Sequence, residues 1–163
     1  MSAHFIPRHL GFSLIELVVT VAIVGLLASV ALPMAEVGVK RNKEHELRLA
    51  LREIRTALDA YRQAVEDGRV THVMDESGYP ESLKVLVDGV PDASSPDGKK
   101  RIHFLRRIPR DPLFPDPTRP DAETWGKRSY ASSHDAPEEG EDVFDVYSLA
   151  PGTGLNGIPY RRW

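Results

Sequence analysis

The chain has 163 residues, of which 28% are charged, and its formal net charge at pH 7 is −3. This length leaves room for one soluble domain of about a hundred residues beyond a membrane anchor, and the charge balance excludes the basic surface of a general nucleic-acid binder. The chain has no cysteine, which excludes disulfides and thiolate metal sites.

The most apolar stretch of the chain covers residues 12–35. Residues 17–35 carry no formal charge, and a helix of this length, at about 1.5 Å per residue, crosses a hydrocarbon core of about 30 Å. Glu16 lies inside the apolar stretch, where a lone carboxylate facing lipid costs about 2 to 3 kcal/mol or more. We therefore predict a transmembrane helix at 12–35 in which Glu16 needs a positively charged partner.

A short polar segment, residues 1–11, precedes the apolar stretch and ends at Gly11. A secretory signal peptide has its cleavage site after the apolar segment. Here the junction lies before the apolar stretch, which does not fit a secretory signal peptide. The letters GFSLIEL at residues 11–17 resemble the processing site of the type IV prepilin family, which includes the type II secretion pseudopilins. The resemblance implies that 1–11 is a leader peptide, that a prepilin peptidase cleaves between Gly11 and Phe12, and that the new terminus at Phe12 is N-methylated.

The same resemblance gives Glu16 a role in assembly. An amino terminus at Phe12 of an adjacent, axially shifted helix would supply the missing positive charge, and a charged pair in hydrocarbon costs far less than an isolated carboxylate. An ordinary signal anchor with an incidental glutamate is the alternative. Counting Lys and Arg alone favours the opposite orientation, but the resemblance implies a cytoplasmic leader and a periplasmic C-terminal domain.

Pro33 interrupts the second half of the apolar stretch. A proline inside a helix removes a backbone hydrogen bond and bends or locally unwinds the helix. The resemblance implies a flexible point that melts as subunits pack into a filament. A simple kink at the membrane surface is the alternative.

Apolar residues recur at steps of three and four along residues 36–67, which predicts an amphipathic helix that forms the spine of the following domain. The apolar positions are Leu47, Leu51, Ile54, Leu58, Tyr61 and Val65. The predicted solvated i,i+4 ion pairs on the opposite face are Glu44 with Arg48, Arg55 with Asp59, and Arg62 with Glu66. A coiled coil is the alternative, but the spacing lasts for only about three heptads.

The remaining residues, 68–163, are predicted to form a head domain. The predicted elements are a short helix at 81–87, a strand at 102–108, a proline-rich loop at 109–120, and antiparallel strands at 128–132 and 143–149. The predicted fold class is therefore α+β, with a long N-terminal helix packed against a small antiparallel sheet.

The letters LRRIPRDP at 105–112, TWG at 124–126 and DVFDVYSLAPGTGLNGIPYRRW at 142–163 are similar to the major, G-type pseudopilins of type II secretion. The resemblance implies a single-pass inner-membrane subunit of a periplasmic pseudopilus that drives protein export across the outer membrane. Its partners would be copies of itself, other pseudopilins, the prepilin peptidase and the inner-membrane assembly platform. A minor subunit of a type IV pilus is the alternative within the superfamily.

Calcium is a candidate cofactor, because the resemblance implies a calcium ion in a C-terminal loop. Residues 148–163 contain no Asp or Glu, which departs from that pattern. Acidic residues just before this tail, Glu141, Asp142 and Asp145, offer hard oxygen ligands and are the candidate calcium site. A solvated acidic loop is the alternative.

No motif in the chain predicts an enzyme. The letters GTGLNG at 152–157 match G-x-G-x-x-G but predict a turn, because too few residues follow for a phosphate-binding helix. The six histidines show no metal-ligand spacing. A membrane-tethered periplasmic binding module that never polymerises is the alternative from another class. A basic region at 101–128 and an acidic region at 135–145 suit a head-to-tail contact, with ordinary surface charge as the alternative.

Overall fold

The computed structural model of the protein describes residues 11–72, 77–96 and 99–163, without the side chains at 30, 32 and 33. Its helices and strands, in chain order, are α1 (Leu14–Glu66), α2 (Leu83–Asp88), β1 (Val90–Pro91), β2 (Arg101–Ile102), β3 (Trp125–Arg128) and β4 (Asp145–Ser148). Two short 3-10 helices lie at Asp121–Thr124, before β3, and at Tyr160–Arg162, after β4. The predicted α+β class, a long N-terminal helix with small antiparallel sheets, is confirmed.

The chain divides between Lys40 and Arg41 into two compact units. In the first unit, every described side chain of α1 before Lys40 is exposed, including Leu14 at 82% and Ile15 at 71%. This part of α1 is long and apolar enough to cross a membrane. A helix that is apolar all round needs lipid or other helices against it.

In the second unit, α1 provides one side of the hydrophobic core. The predicted apolar positions Leu47, Leu51, Ile54 and Leu58 are at most 3% exposed. They pack with buried residues from the rest of the unit, which include Leu83, Leu86, Trp125, Val143, Val146 and Tyr160. The periodicity therefore predicted the buried face of this helix correctly.

The end of α1 also follows the sequence. Gly68 has φ of 72°, a left-handed conformation that glycine adopts without a side-chain penalty. The Gly68 N–H donates to the Val65 carbonyl at 3.0 Å, and the Arg69 N–H donates to the Ala64 carbonyl at 2.8 Å. These bonds satisfy carbonyls that the last turn of a helix leaves without an intrahelical partner.

The described strands form two separate antiparallel pairs rather than one sheet. β1 pairs with β2 with Val90 opposite Ile102, and β3 pairs with β4 with Trp125 opposite Ser148. The short helix predicted at 81–87 is α2, and the proline-rich loop predicted at 109–120 contains neither helix nor strand.

Two of the predicted strands are misplaced. The strand predicted at 102–108 ends at Ile102, because the next N–H groups, of Phe104 and Leu105, both donate to the Leu86 carbonyl instead of forming a ladder. The strand predicted at 128–132 is β3, which ends at Arg128, because the Ser132 N–H turns back to the Ser129 carbonyl at 3.1 Å.

Candidate functional site

The predicted cleavage junction lies in an exposed, non-helical segment. Gly11 and Phe12 precede α1, which begins at Leu14, and the Phe12 side chain is 78% exposed. A peptidase needs an accessible peptide bond outside regular helix, and this segment offers one. Cleavage and methylation at Phe12 stay predictions.

Ser13 caps the start of α1. Its Oγ accepts a hydrogen bond of 3.2 Å from the Glu16 N–H, and its carbonyl accepts one of 3.2 Å from the Leu17 N–H. Serine at the cap with glutamate three residues later is the capping-box sequence. Glu16 therefore lies in the first turn of the helix, where its charge also complements the helix dipole. This contribution of Glu16 was not predicted, although the letters S-x-x-E carry the signal for it.

The Glu16 side chain is exposed in the first turn of an apolar helix, and within the described part of the chain it forms no ion pair. Its neighbours along α1 include exposed Leu14, Ile15 and Leu17. Its backbone carbonyl accepts a hydrogen bond of 2.8 Å from the Thr20 hydroxyl. A cation other than those of the described residues is therefore needed if the carboxylate enters hydrocarbon.

The predicted flexible point, Pro33, falls within the bounds of α1, but its side chain lies outside the described residues. Its role stays a prediction.

Glu44 is a buried acid that fastens the tail to α1. It is 3% exposed, and its Oε1 accepts hydrogen bonds from the Leu155 N–H at 2.8 Å and from the Tyr160 hydroxyl at 3.0 Å. Burial and the bond to Glu44 raise the pKa of Tyr160 to about 12. The predicted Glu44–Arg48 surface pair is wrong, because Arg48 instead lies over the Trp163 ring at 4.3 Å.

Arg55 joins α1 to β4 and to the tail. Its Nε donates to Asp145 Oδ1 at 2.7 Å, and its Nη2 donates to the Val146 carbonyl at 3.0 Å and to the Trp163 main-chain oxygen at 2.8 Å. The predicted Arg55–Asp59 pair is therefore wrong as well. Of the predicted pairs, Arg62–Glu66 is confirmed at 2.8 Å.

The candidate calcium ligands do not converge. Glu141 is exposed, and Asp142 Oδ1 accepts the Tyr130 N–H at 2.8 Å. Both oxygens of Asp145 face arginines, Arg55 at 2.7 Å and Arg128 at 3.3 Å. Among the described residues no group of three or more His, Cys, Asp or Glu side chains could hold a metal ion. As arranged here, Glu141, Asp142 and Asp145 do not fit calcium.

Asp92 is a second buried acid, in the loop after β1. Its Oδ1 accepts the Ser94 hydroxyl at 2.6 Å, and its Oδ2 lies 3.2 Å from Arg69 and 3.6 Å from Lys100. The bond from Ser94, with a further one from Arg69, lowers the pKa of Asp92 from 3.8 to about 2. These contacts close the loop, and they bring no catalytic partner to the carboxylate.

A third buried acid, Asp111, fixes the start of the proline-rich loop. It accepts the Ser148 hydroxyl at 2.5 Å and the Leu113 N–H at 2.8 Å. The indole N–H of Trp125 donates to the neighbouring Pro109 carbonyl at 2.7 Å. The acid thus holds this loop to β4, and the Trp125 indole holds the same loop to β3.

An exposed apolar helix with a glutamate in its first turn, and a small α+β unit that includes the amphipathic part of the same helix, are consistent with a pilin-like fold. The family model of the prokaryotic N-terminal methylation motif matches residues 6–32. The chain therefore carries the N-methylation motif of prepilin-type proteins, and the predicted resemblance to the type IV pilin-like superfamily is confirmed.

Three curated relatives are similar to this chain. The type IV major pilin protein PilA of Myxococcus xanthus (strain DK1622) is 35% identical over 77 residues, which are 47% of this chain and 34% of that protein. The type II secretion system core protein G of Pectobacterium carotovorum subsp. carotovorum is 28% identical over 113 residues, 67% of this chain and 65% of that protein. The Aeromonas hydrophila core protein G is 26% identical over 108 residues, 64% of this chain and 68% of that protein.

None of these relatives is named as an enzyme. The match spans 34% of the first relative's length and 65% of the second's. No solved structure matches the chain significantly.

Proposed function

We propose that the protein is a structural subunit of a periplasmic pseudopilus of the type II secretion system, which polymerises through its N-terminal helix to drive protein export across the outer membrane. The observation that carries the proposal is the first part of α1. Residues 14–32 of this helix lie within the N-terminal methylation motif, are exposed wherever their side chains are described, and contain one acid, Glu16. Outside the membrane, an isolated subunit would expose this apolar helix to water, whereas a filament buries it among the same helices of other subunits.

The proposed organisation has four parts. Residues 1–11 are the leader, 12–35 the transmembrane helix, 36–67 the amphipathic spine and 68–163 the periplasmic head. The exposed, non-helical junction before α1 supports cleavage after Gly11 by the prepilin peptidase.

The proposed assembly contact joins Glu16 of one subunit to the N-methylated Phe12 terminus of the next. The exposed carboxylate in the first turn supports this, because it forms no ion pair within the described part of its own chain. Pro33 is the proposed point at which the helix yields as subunits pack. The proposed partners are copies of the chain, other pseudopilins and the assembly platform of the inner membrane.

A type IV pilin is the second candidate. The Myxococcus xanthus relative, a type IV major pilin, has the highest identity of the three, over the shortest match. The two type II secretion core proteins cover more of this chain, which favours the pseudopilus.

The first test is the intact mass and N-terminal sequence of membrane-extracted protein from cells with and without the prepilin peptidase. We expect a mature chain that starts at N-methyl-Phe12 only when the peptidase is present. Retention of residues 1–11 in both strains would leave an ordinary anchored domain.

A second test isolates the assembly charge. Glu16→Gln removes the charge but keeps a side chain of similar size, and the Ser13 cap survives because it uses the main-chain N–H of residue 16. We expect unchanged membrane insertion and at least a tenfold loss of sedimentable polymer, consistent with an ion pair in a low-dielectric site. Glu36→Gln, an exposed acid later in α1, is the matched control and should polymerise normally.

Because the chain has no native cysteine, disulfide crosslinks of this protein can form only at introduced cysteines. Cysteines placed at Ser13 and Ser29 would report helix-to-helix contacts between subunits, with each single variant as the control. A ladder of oligomers in cells supports a filament. Monomers alone, from a processed and inserted chain, would favour the membrane-tethered binding module.

A deletion strain separates the two filament types. Loss of exported proteins from the medium, with surface pili intact, supports the pseudopilus. Loss of surface pili with normal export would make the protein a type IV pilin.

A further inference from the structure

We propose that the Arg55 guanidinium is the built-in cation of the head domain, so that the head folds and keeps its tail docked without calcium. The proposal concerns the second compact unit alone and does not depend on which filament the subunit joins. It rests on what surrounds Arg55 rather than on the lack of a metal ion.

The partners of Arg55 are the kinds of ligand that calcium takes. Calcium binds carboxylates and main-chain carbonyl oxygens. Arg55 meets one carboxylate oxygen, of Asp145, and two main-chain oxygens, of Val146 and Trp163, at 2.7, 3.0 and 2.8 Å. The Arg55 guanidinium therefore already contacts all three of these oxygens.

A second cation closes the other side of Asp145. Arg128 Nη2 lies 3.3 Å from Asp145 Oδ2, and its guanidinium carbon lies 4.6 Å from the centre of the Phe144 ring. The cation–π contact and burial hold Arg128 in this position, since its side chain is 15% exposed. Both oxygens of Asp145 therefore already face guanidinium groups.

The other acids nearby do not supply calcium ligands in place of Asp145. Asp142 accepts the Tyr130 N–H at 2.8 Å, and Glu141 is exposed. The tail itself, 148–163, supplies no carboxylate side chain. A calcium ion at Asp145 would first have to displace both guanidinium groups.

The shape of the guanidinium explains why an arginine serves here. The N–H donors of a guanidinium lie in one plane and on different edges. The Arg55 side chain can therefore join α1, which carries it, to both β4 and the tail. A lysine ammonium carries the same charge as a point and cannot span these acceptors in the same geometry. Arg55→Lys should therefore keep the charge and lose part of the tail docking.

The test uses the full chain in detergent micelles and measures thermal unfolding by near-ultraviolet circular dichroism, in millimolar calcium chloride and in chelator. We expect the wild-type Tm to be the same in both. Arg55→Met should lower Tm by about 4 to 8 °C, the shift expected for a contact of this size in a small domain. The Tm of Arg55→Lys should lie between those of the wild type and Arg55→Met.

Arg52→Met is the matched control, because Arg52 is an exposed arginine one turn earlier on the same helix. It should leave Tm unchanged. Hydrogen exchange of residues 158–163 gives a second readout, and Arg55→Met should speed it at least tenfold while Arg52→Met does not. If Arg55→Met fails to fold, Asp145→Asn removes the charge of the partner and should loosen the tail in the same way.

Three results would overturn the proposal. The first is a wild-type Tm that rises by several degrees with calcium and falls again with chelator. The second is an Arg55→Met variant whose Tm and tail exchange match those of Arg52→Met. Titration calorimetry with calcium alone should show no binding heat in the wild type, and a saturable signal would also reject the idea.

Discussion

The Tyr160 hydroxyl donates a hydrogen bond of 3.0 Å to Glu44 Oε1, between side chains that are 4% and 3% exposed. The same oxygen accepts the Leu155 N–H, so one buried acid on α1 holds both the turn at 152–157 and the aromatic residue after it. This pair ties the tail to the helix at one point, and Arg55 ties it at another.

Replacing Glu44 should therefore destabilise the head. Glu44→Ala removes the carboxylate that accepts both the Tyr160 hydroxyl and the Leu155 N–H, and hydrogen bonds to a charged group contribute about 1.5 to 3 kcal/mol. Denaturant unfolding followed by tryptophan fluorescence would measure the loss. Glu46→Ala, an exposed acid two residues on, should change the free energy of unfolding by less than about 0.5 kcal/mol. Equal effects of the two variants would contradict the anchoring role.

Tyr160 should be a late-ionising tyrosine. Its pKa is raised from 10 to about 12, chiefly by burial and then by Glu44, so the neutral phenol stabilises the folded state. That contribution is complete below pH 10 and is lost as the pH rises towards 12.

An ultraviolet absorbance titration of the five tyrosines should show one ionising near pH 12 in the wild type. Tyr160→Phe should lack this step, and denaturant should return it to the ordinary range. A titration unchanged by Tyr160→Phe would reject the assignment.

Asp92 should contribute to stability above the acid range. The hydroxyl of Ser94, and then Arg69, holds its pKa near 2 against an ordinary 3.8. The stabilisation is therefore complete above about pH 4 and is lost as the pH falls towards 2.

Asp92→Asn should be less stable than the wild type at neutral pH and should show a shallower fall in stability between pH 4 and pH 2. Tm measured across this range is the readout. Asp135→Asn, whose side chain is 96% exposed, is the control and should follow the wild-type curve. The prediction would be contradicted if Tm fell equally steeply between pH 4 and pH 2 for Asp92→Asn and the wild type.

Gly126 should resist substitution. It pairs with Tyr147 across β3 and β4, and the Tyr147 ring occupies the space where a Cβ of residue 126 would lie. Gly126→Ala forces the ring to move, and overpacking of this kind costs about 1 to 3 kcal/mol.

Gly38→Ala is the matched control, since nothing lies within 4 Å of the added Cβ. Denaturant midpoints of both variants would check the prediction. A Gly126→Ala variant as stable as Gly38→Ala would show that the ring gives way freely.

Local patterns predicted the parts of this fold that depend on local physics. The three- and four-residue spacing of Leu47, Leu51, Ile54 and Leu58 predicted the buried face of α1, because a helix has a fixed period. The left-handed Gly68 marked its end. The proline-rich loop was predictable because proline removes the backbone donor that a ladder needs.

The contacts of Glu44 and Arg55 were not predictable in the same way. The i,i+4 rule assigns a charged helical residue to its neighbour along the helix, but the partner of Arg55 lies 90 residues away. Only the folded chain brings them together. Glu44 did carry a signal, because it lies three residues before Leu47 on the same apolar face, where an acid needs buried donors.

The cap at the start of α1 has a consequence for maturation. Its two hydrogen bonds join atoms of Ser13, Glu16 and Leu17, all on the retained side of the proposed cut. Removing residues 1–11 would change the charge at the membrane surface while breaking neither bond. The proposed leader and the first turn of α1 are thus separate parts of the chain, and the proposed cut would leave the first turn of the helix intact.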